Sequence, residues 1–270
     1  MMLVFPNAKI NIGLNIVEKR QDGFHNIESC FYPVDWTDAL EISVADNFRF
    51  QSSGITIPGD GSDNLCSKAY QLIASDYDLP PVNLHLLKHI PIGAGLGGGS
   101  SDAAFTIKAL NQLFSLEISV EKQISYARRL GSDCAFFILD RPAYCYGKGD
   151  EFEEIALSLQ GKWIVLVNPG IHISSAEAYA GVRAQPSEED LRKILKDPIT
   201  SWKDRVRNDF EATLFSRYTL LKEIKSELYN VGAVYASMSG SGSTLFGIFD
   251  QETDLRATFP EFKVWQGHLK

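Results

Sequence analysis

The residues best suited to chemistry lie in one glycine-rich segment, residues 91–104, reading PIGAGLGGGSSDAA. Its glycines (Gly93, Gly95, Gly97, Gly98 and Gly99) run into a helical pattern of Ala103, Ala104, Ile107, Leu110 and Phe114. Small residues entering a helix present several backbone N–H groups to one point, and the helix start adds partial positive charge there. That is a nest for an anion, and glycine lets an oxygen-rich ligand approach the backbone closely. Ser100 and Ser101 add hydroxyls suited to a phosphate or a magnesium ion. Asp102 suits the helix dipole but would sit beside any bound phosphate.

Residues 93–98 match G-x-G-x-x-G, yet the setting is wrong for a dinucleotide fold: the acidic residue about 20 positions on, Glu117, follows a helix instead of ending a strand. No Gly-Lys-Ser/Thr follows the glycines, and the H-R-D and D-F-G signatures of protein kinases are missing. Two further segments carry unusual residues. Lys9 stands on an alternating apolar stretch, opposite Ile10 and Ile12, where a lysine alone reads as a solvated sheet-face residue. Late in the chain, SMSGSGSTLFGIF (residues 237–249) reads as a glycine-rich turn between two strands.

The elements that must hold these residues are of mixed type. Residues 8–17 alternate as a strand, with Ile10, Ile12, Leu14 and Ile16 on one face, and residues 40–44 do so briefly. Residues 52–63 are turn-rich (Gly54, Pro58, Gly59, Gly61). A helix follows Asp63 with Leu65, Ala69, Leu72 and Ile73 as its apolar stripe, and residues 82–90 read as a strand. Ser119 is a candidate N-cap for a helix with Val120, Ile124 and Ala127 inward and Gly131 as its stop. Residues 163–167 form an apolar strand, helical patterns fall at 174–181, 188–196 and 217–230, and two short strands flank the late glycine turn. Without regular βαβ repetition, this order predicts an α+β fold, with a domain boundary between residues 154 and 162.

The 270 residues suffice for one large or two small domains; 44% hydrophobic and 22% charged is ordinary for a globular chain with a sizeable core. A net charge of −8 argues against broad binding to nucleic acid or an anionic membrane, but leaves room for a local anion pocket. Four scattered cysteines (Cys30, Cys66, Cys134, Cys145) with no C-x-x-C pair argue against a disulfide framework or structural zinc. No run of about 18 apolar residues and no leader pattern is present, so a cytoplasmic protein without a protein partner is expected.

Taken in order, residues 6–16 (PNAKINIGLNI), 91–104 and 237–249 resemble the three sequence motifs of the GHMP kinase family, which includes galactokinase, homoserine kinase and mevalonate kinase. The resemblance implies a two-domain α+β fold: an N-terminal ATP-binding domain (residues 1–157) similar to the second domain of ribosomal protein S5, and a C-terminal domain (158–270), with the site in the cleft between them. It implies transfer of the γ-phosphoryl group of ATP, with Mg2+, to a small-molecule hydroxyl. Asp133, in Gly131-Ser132-Asp133, would lie beside that hydroxyl and Lys9 beside Asp133. Pro91, Ile92, Gly93, Ala94, Gly95, Leu96, Gly97, Gly98, Gly99, Ser100 and Ser101 would cradle the triphosphate, with Asn64 and Lys88 toward adenine.

Asp22-Gly23-Phe24-His25, Asp63-Asn64-Leu65, Asn168-Pro169-Gly170 and Asn208-Asp209-Phe210-Glu211 resemble the branch whose acceptor is a cytidyl diphosphate alcohol of isoprenoid biosynthesis. There His25 would hydrogen-bond cytosine, Phe24 and Tyr179 would stack on it, and Asn11 and Ser175 would meet the diphosphate or polyol. Phe24 stands where tyrosine is usual and Ala135 where proline is frequent, and no metal-ligating helix glutamate is evident. Alternatives are a family member acting on mevalonate, homoserine or a sugar, and a non-catalytic metabolite sensor on the same fold.

Overall fold

The computed structural model describes residues 1–58 and 63–270, so Gly59 and Gly61 of the turn-rich stretch lie outside the described residues. In chain order the strands and helices are β1 (Met2–Val4), β2 (Asn7–Lys19), β3 (His25–Thr37), β4 (Ala39–Val44), β5 (Arg49–Gly54), α1 (Leu65–Ala74), β6 (Val82–Lys88), α2 (Gly98–Leu113), α3 (Val120–Leu130), α4 (Cys134–Leu139), β7 (Ala143–Tyr146), β8 (Glu151–Glu154), β9 (Trp163–Asn168), α5 (Ser175–Ala180), α6 (Leu191–Ile194), α7 (Asp209–Arg217), α8 (Thr219–Asn230), β10 (Tyr235–Met238), β11 (Leu245–Phe249) and β12 (Lys263–His268). This is the expected α+β mixture. The chain forms two compact units that interleave along the sequence: residues 1–8, 36–92 and 97–141 make the first, and 9–35, 93–96 and 142–270 the second.

In the first unit a sheet of order β1-β4-β6-β5 is antiparallel except for the parallel β5–β6 pair. Helices α1 to α4 pack on one another, and α2 also packs on β1 and β4. β6 alternates strictly: Val82, Leu84 and Leu86 are buried, Asn83 and His85 exposed, and Lys88 falls in phase with the buried set. The α1 stripe is rotated from expectation, since Cys66, Ala69, Tyr70 and Ile73 are buried whereas Leu65 and Leu72 are half-buried. Ser119 caps α3 by accepting from the Lys122 amide (3.3 Å), and Gly131 ends it. Val120, however, is exposed, and Gln123, Tyr126 and Ala127 face inward; Gln123 is satisfied there by donating to the Ile118 carbonyl (2.9 Å).

The second unit holds an antiparallel sheet of order β10-β11-β9-β12. Its core joins Val165, Val167, Ala236 and Leu245 of that sheet to Phe210 and Leu214 of α7 and to Leu221, Ile224 and Leu228 of α8. A further sheet, β2-β3-β7-β8, falls mostly in this unit. The helical pattern at 217–230 is only the second of two helices; α7 precedes it, and the chain breaks at Tyr218, whose backbone (φ −122°, ψ 78°) is not helical. The pattern at 188–196 shrinks to the four residues of α6, because Asp190 caps it (2.9 Å to the Arg192 amide) while Ser187 donates instead to Glu28.

All four cysteines are buried and free. Burial pushes the Cys30 and Cys66 thiols well up and that of Cys134 to about 12. Among the described residues no helix is long and apolar enough to cross a membrane.

Candidate active site

In the second unit, β2 is buried on both faces from Asn7 to Leu14, so Lys9 is not a solvated sheet-face lysine but is 3% exposed. Its ammonium donates to Asn11 Oδ1 (2.5 Å) and lies 4.5 Å from the centre of the Phe31 ring. Asn11 Nδ2 in turn donates to Ser29 Oγ (2.9 Å), and Ser29 Oγ to the Gly13 carbonyl (2.6 Å). This relay fixes the lysine head. Both ends of the Asn11 amide are thus engaged inside the unit.

The first half of the glycine-rich segment is stitched to β2 and to the late glycine turn. The Lys9 amide donates to the Leu96 carbonyl (3.0 Å) and the Thr244 amide to that of Ala94 (3.3 Å). Ser239 Oγ donates to the Gly95 carbonyl (2.8 Å) and accepts from the Asn11 amide (3.2 Å). Gly95 is obligatory: its φ is +78°, and a Cβ there would lie 1.9 Å from the Ser239 carbonyl oxygen. Gly93 faces the His172 ring, Pro91 is buried and Ile92 exposed.

Sequence reasoning did not single out Ser239, the hydroxyl that ties all three segments together. Its signal was only its place in the SGSGS turn. The tetrad 208–211 holds that turn. Asn208 Nδ2 donates to the Met238 and Gly240 carbonyls (2.8 Å each) while its Oδ1 caps α7. Asp209 accepts from the Ile16 amide, Phe210 packs edge-on against Tyr179, and Glu211 accepts from the Met238 amide and Ser237.

In the first unit the second half of the segment is already helix. Gly97 is the N-cap of α2, with φ +69° and no side chain to satisfy the amides of the first turn. The amides of this first turn belong to Gly98, Gly99 and Ser100 in helical conformation, with Gly99 exposed and Ser100 half-buried. Ser101 is fully buried, and its hydroxyl has no hydrogen-bond partner among the described residues.

The corner between α3 and α4 abuts this turn, since a Cβ on Gly131 would lie 3.9 Å from Ser100 Oγ. Asp133 occupies the N-cap position of α4 in αR conformation but makes no side-chain cap bond. Capping therefore does not account for this half-buried carboxylate. Asn64 caps α1, Oδ1 accepting from the Cys66 amide (2.8 Å). Lys88, expected beside adenine, is instead 2% exposed with its ammonium held by Asp38 and Asp102. A side chain so engaged braces the fold and does not reach a nucleotide base.

An aromatic corner forms in the second unit. His25 and Tyr179 stack at 4.7 Å with planes 17° apart, and Tyr179 is steadied by Phe210. The turn before them is built by Asp22, which accepts from the Phe24 amide (3.1 Å), and by Gly23 at φ +86°. Phe24 is 60% exposed, with Lys148 over its ring. Ser175 is exposed at the first position of α5.

The sequence pattern of the GHMP kinases N terminal domain matches residues 64–147, and that of the GHMP kinases C terminal matches residues 189–260. The chain belongs to the GHMP kinase family. Among GHMP kinases it is 51% identical over 254 residues (94% of each chain) to the 4-diphosphocytidyl-2-C-methyl-D-erythritol kinase of Cytophaga hutchinsonii, and 48% identical over the whole of both chains to the enzyme so named in Bacteroides fragilis. A crystal structure of 4-(cytidine 5'-diphospho)-2C-methyl-D-erythritol kinase superposes with a TM-score of 0.86 at 30% identity, covering 99% of each chain. The mevalonate kinase of Methanococcus jannaschii shares the GHMP kinase fold, with a TM-score of 0.74 at 14% identity over 100% of this chain and 98% of that one.

Proposed function

We infer that this GHMP kinase transfers the γ-phosphoryl group of ATP to the 2-hydroxyl of 4-diphosphocytidyl-2-C-methyl-D-erythritol, a step of non-mevalonate isopentenyl diphosphate biosynthesis. The observation that carries this reading is full-length identity near one half to enzymes of that name. The aromatic corner supports it, because mevalonate, homoserine and sugars have no base to stack.

In this reading the uncapped first turn of α2 and the backbone of residues 93–97 receive the triphosphate. Phosphoryl transfer through a loose transition state asks the protein for alignment and for charge stabilisation, not for a strong base. Lys9, fixed by Asn11, supplies positive charge where the transferring group and acceptor oxygen carry negative charge. Asp133 orients the acceptor hydroxyl and takes its proton late. A neighbouring ammonium makes a carboxylate a weaker base, which suits a late acceptor.

For the cytidyl end, Phe24 and Tyr179 stack on the base, each worth roughly 1–3 kcal/mol. His25 turns its ring edge-on to hydrogen-bond cytosine, which requires it to leave its stack on Tyr179. Ser175 contacts the diphosphate or polyol, and the Asn64 region lies toward adenine. Magnesium, entering with ATP, offsets charge on the β- and γ-phosphates. We place it on those phosphates, water and the Ser100 hydroxyl, since no cluster of three His, Cys, Asp or Glu side chains occurs among the described residues. The cytoplasm, where the charged nucleotide is held, is the proposed location.

The test is ADP release with MgATP and one acceptor at a time: the cytidyl alcohol, mevalonate, homoserine, galactose or none. Turnover confined to the cytidyl alcohol is expected. Turnover with another acceptor removes the base clamp but keeps Lys9 and Asp133; no acceptor-dependent turnover from folded protein favours a metabolite sensor.

A further inference from the structure

In the second unit, the loop between β9 and α5 carries a side chain that the proposed chemistry leaves unused. His172 is exposed, and the Cε1–Nδ1 edge of its ring faces Gly93: a Cβ built on that glycine would lie 3.2 Å from each of the two atoms. The ring makes no hydrogen bond among the described residues. The chain on either side of it is pinned. Asn168, the last residue of β9, donates from Nδ2 to Thr244 Oγ1 (3.1 Å) and accepts at Oδ1 from the Gly170 amide (3.2 Å). The Ile171 carbonyl accepts from Ser243 Oγ (2.5 Å), and Ile173 is buried in the core cluster that holds Met238 and Leu245. The fold therefore sets where the imidazole stands.

The backbone opposite the ring has donors to spare. Gly93 and Gly95 hold positive φ (+63° and +78°) on either side of Ala94, an alternation that turns successive amides toward one side. The amides of Gly93, Gly95 and Leu96 find no acceptor among the described residues. The same turn that pins the His172 loop also holds this stretch, since the Thr244 amide donates to the Ala94 carbonyl (3.3 Å) and Ser239 Oγ to that of Gly95 (2.8 Å). Loop and glycine segment are thus tied to one support within one unit. Unserved amides with an imidazole beside them suit an anion that offers several oxygens, which is what a phosphate does.

Resting on the reading that the backbone of this segment receives phosphate, we propose that His172 is a further binding residue, donating from Nδ1 to a phosphate oxygen seated on residues 93–96. The contact is a hydrogen bond to a charged acceptor, and no covalent bond changes in it. Two ligands of the proposed reaction carry such an oxygen, the nucleotide and the diphosphate of the cytidyl alcohol. The chemistry that recognises them here is the same.

Titration calorimetry of the full chain tests the contact and separates its two sources. One series uses the magnesium complex of β,γ-imido-ATP and the other the cytidyl alcohol, each on the parent, His172→Met and His172→Asn. Methionine fills the place of the ring and donates nothing, whereas asparagine keeps an N–H near the position of Nδ1. Because the ring is exposed, both variants should melt within about two degrees of the parent. His172→Met is expected to weaken one ligand roughly 5–20-fold and to leave the other within about twofold, with His172→Asn binding the affected ligand more tightly than His172→Met. The ligand that weakens is the one whose phosphate His172 holds. If His172→Met binds both ligands as the parent does, the proposal is overturned and the phosphate reading of the segment stands. Equal weakening of both ligands by both variants overturns it too, since that marks a disturbed loop and not a lost hydrogen bond. A folded parent that binds neither ligand removes the phosphate reading and the proposal with it, so the two failures are told apart.

Discussion

Two strands of this molecule each bury a lysine, and different groups surround each one. Lys88 ends the apolar face of β6 between two carboxylates, so its field is cancelled within a few ångströms and what remains is mechanical. Lys9, buried as deeply on β2, meets the side-chain amide of Asn11 and the face of Phe31. Burial alone therefore does not say what a lysine does; the groups around it must be read as well.

The sharpest way to break that comparison is to remove each charge at nearly constant volume. Lys88→Met leaves two buried carboxylates without their cation, and a loss of roughly 3–5 kcal/mol is expected in denaturant unfolding. Lys9→Met should melt within a few degrees of the parent yet turn over roughly 10²–10³-fold more slowly. A Lys88→Met protein as stable as the parent, or a Lys9→Met protein as fast, would erase the distinction.

Asp102→Asn sharpens it further. The folded chain holds the Asp102 proton more tightly than the unfolded chain does, so the parent loses stability as pH rises from 3.8 to about 7 and no further above that. An asparagine cannot ionise. The stability of the variant relative to the parent should therefore climb across that window, by on the order of 3 kcal/mol, and then level off. Unfolding curves at pH 4, 6 and 8 would show the trend, and a flat difference would contradict it.

The smallest effect separates neighbouring glycines. Gly98→Ala drives a methyl against the pinned Lys88 ammonium and should cost about 1–2 kcal/mol. Gly99→Ala meets nothing closer than 3.9 Å, and should be neutral or gain a few tenths of a kcal/mol. Paired melting curves decide it.

Much of this arrangement was legible in one dimension. Ser119 announced its helix because a cap is a local bond, and residues 82–90 were legible as a strand, although the phase of Val82, Leu84 and Leu86 that puts Lys88 on the buried face went unread. What phase could not supply was the partners: Asp38 and Asp102 lie 50 and 14 positions away and meet Lys88 only through the fold. The same limit hid Ser239, whose contacts to Gly95 and Asn11 span 144 and 228 positions. The pattern at 217–230 was legible as α8, whereas α7 went unread because only Phe210 and Leu214 of its nine residues are buried. β3 escaped notice because Pro33 and Asp35 interrupt its apolar run, and β12 because its side chains are only partly buried. The interleaving of the two units is a matter of which segments pack together, and no local pattern announces it.

The four cysteines carry a practical consequence. A thiol that is sealed from solvent and reluctant to ionise is a poor nucleophile, slow to oxidise and slow to meet an alkylating reagent. The native chain thus offers a silent background to thiol chemistry. A single cysteine placed at the exposed Phe24 would be the one site that takes up a maleimide dye, giving a reporter at the aromatic corner from a protein whose own sulfurs need not be removed.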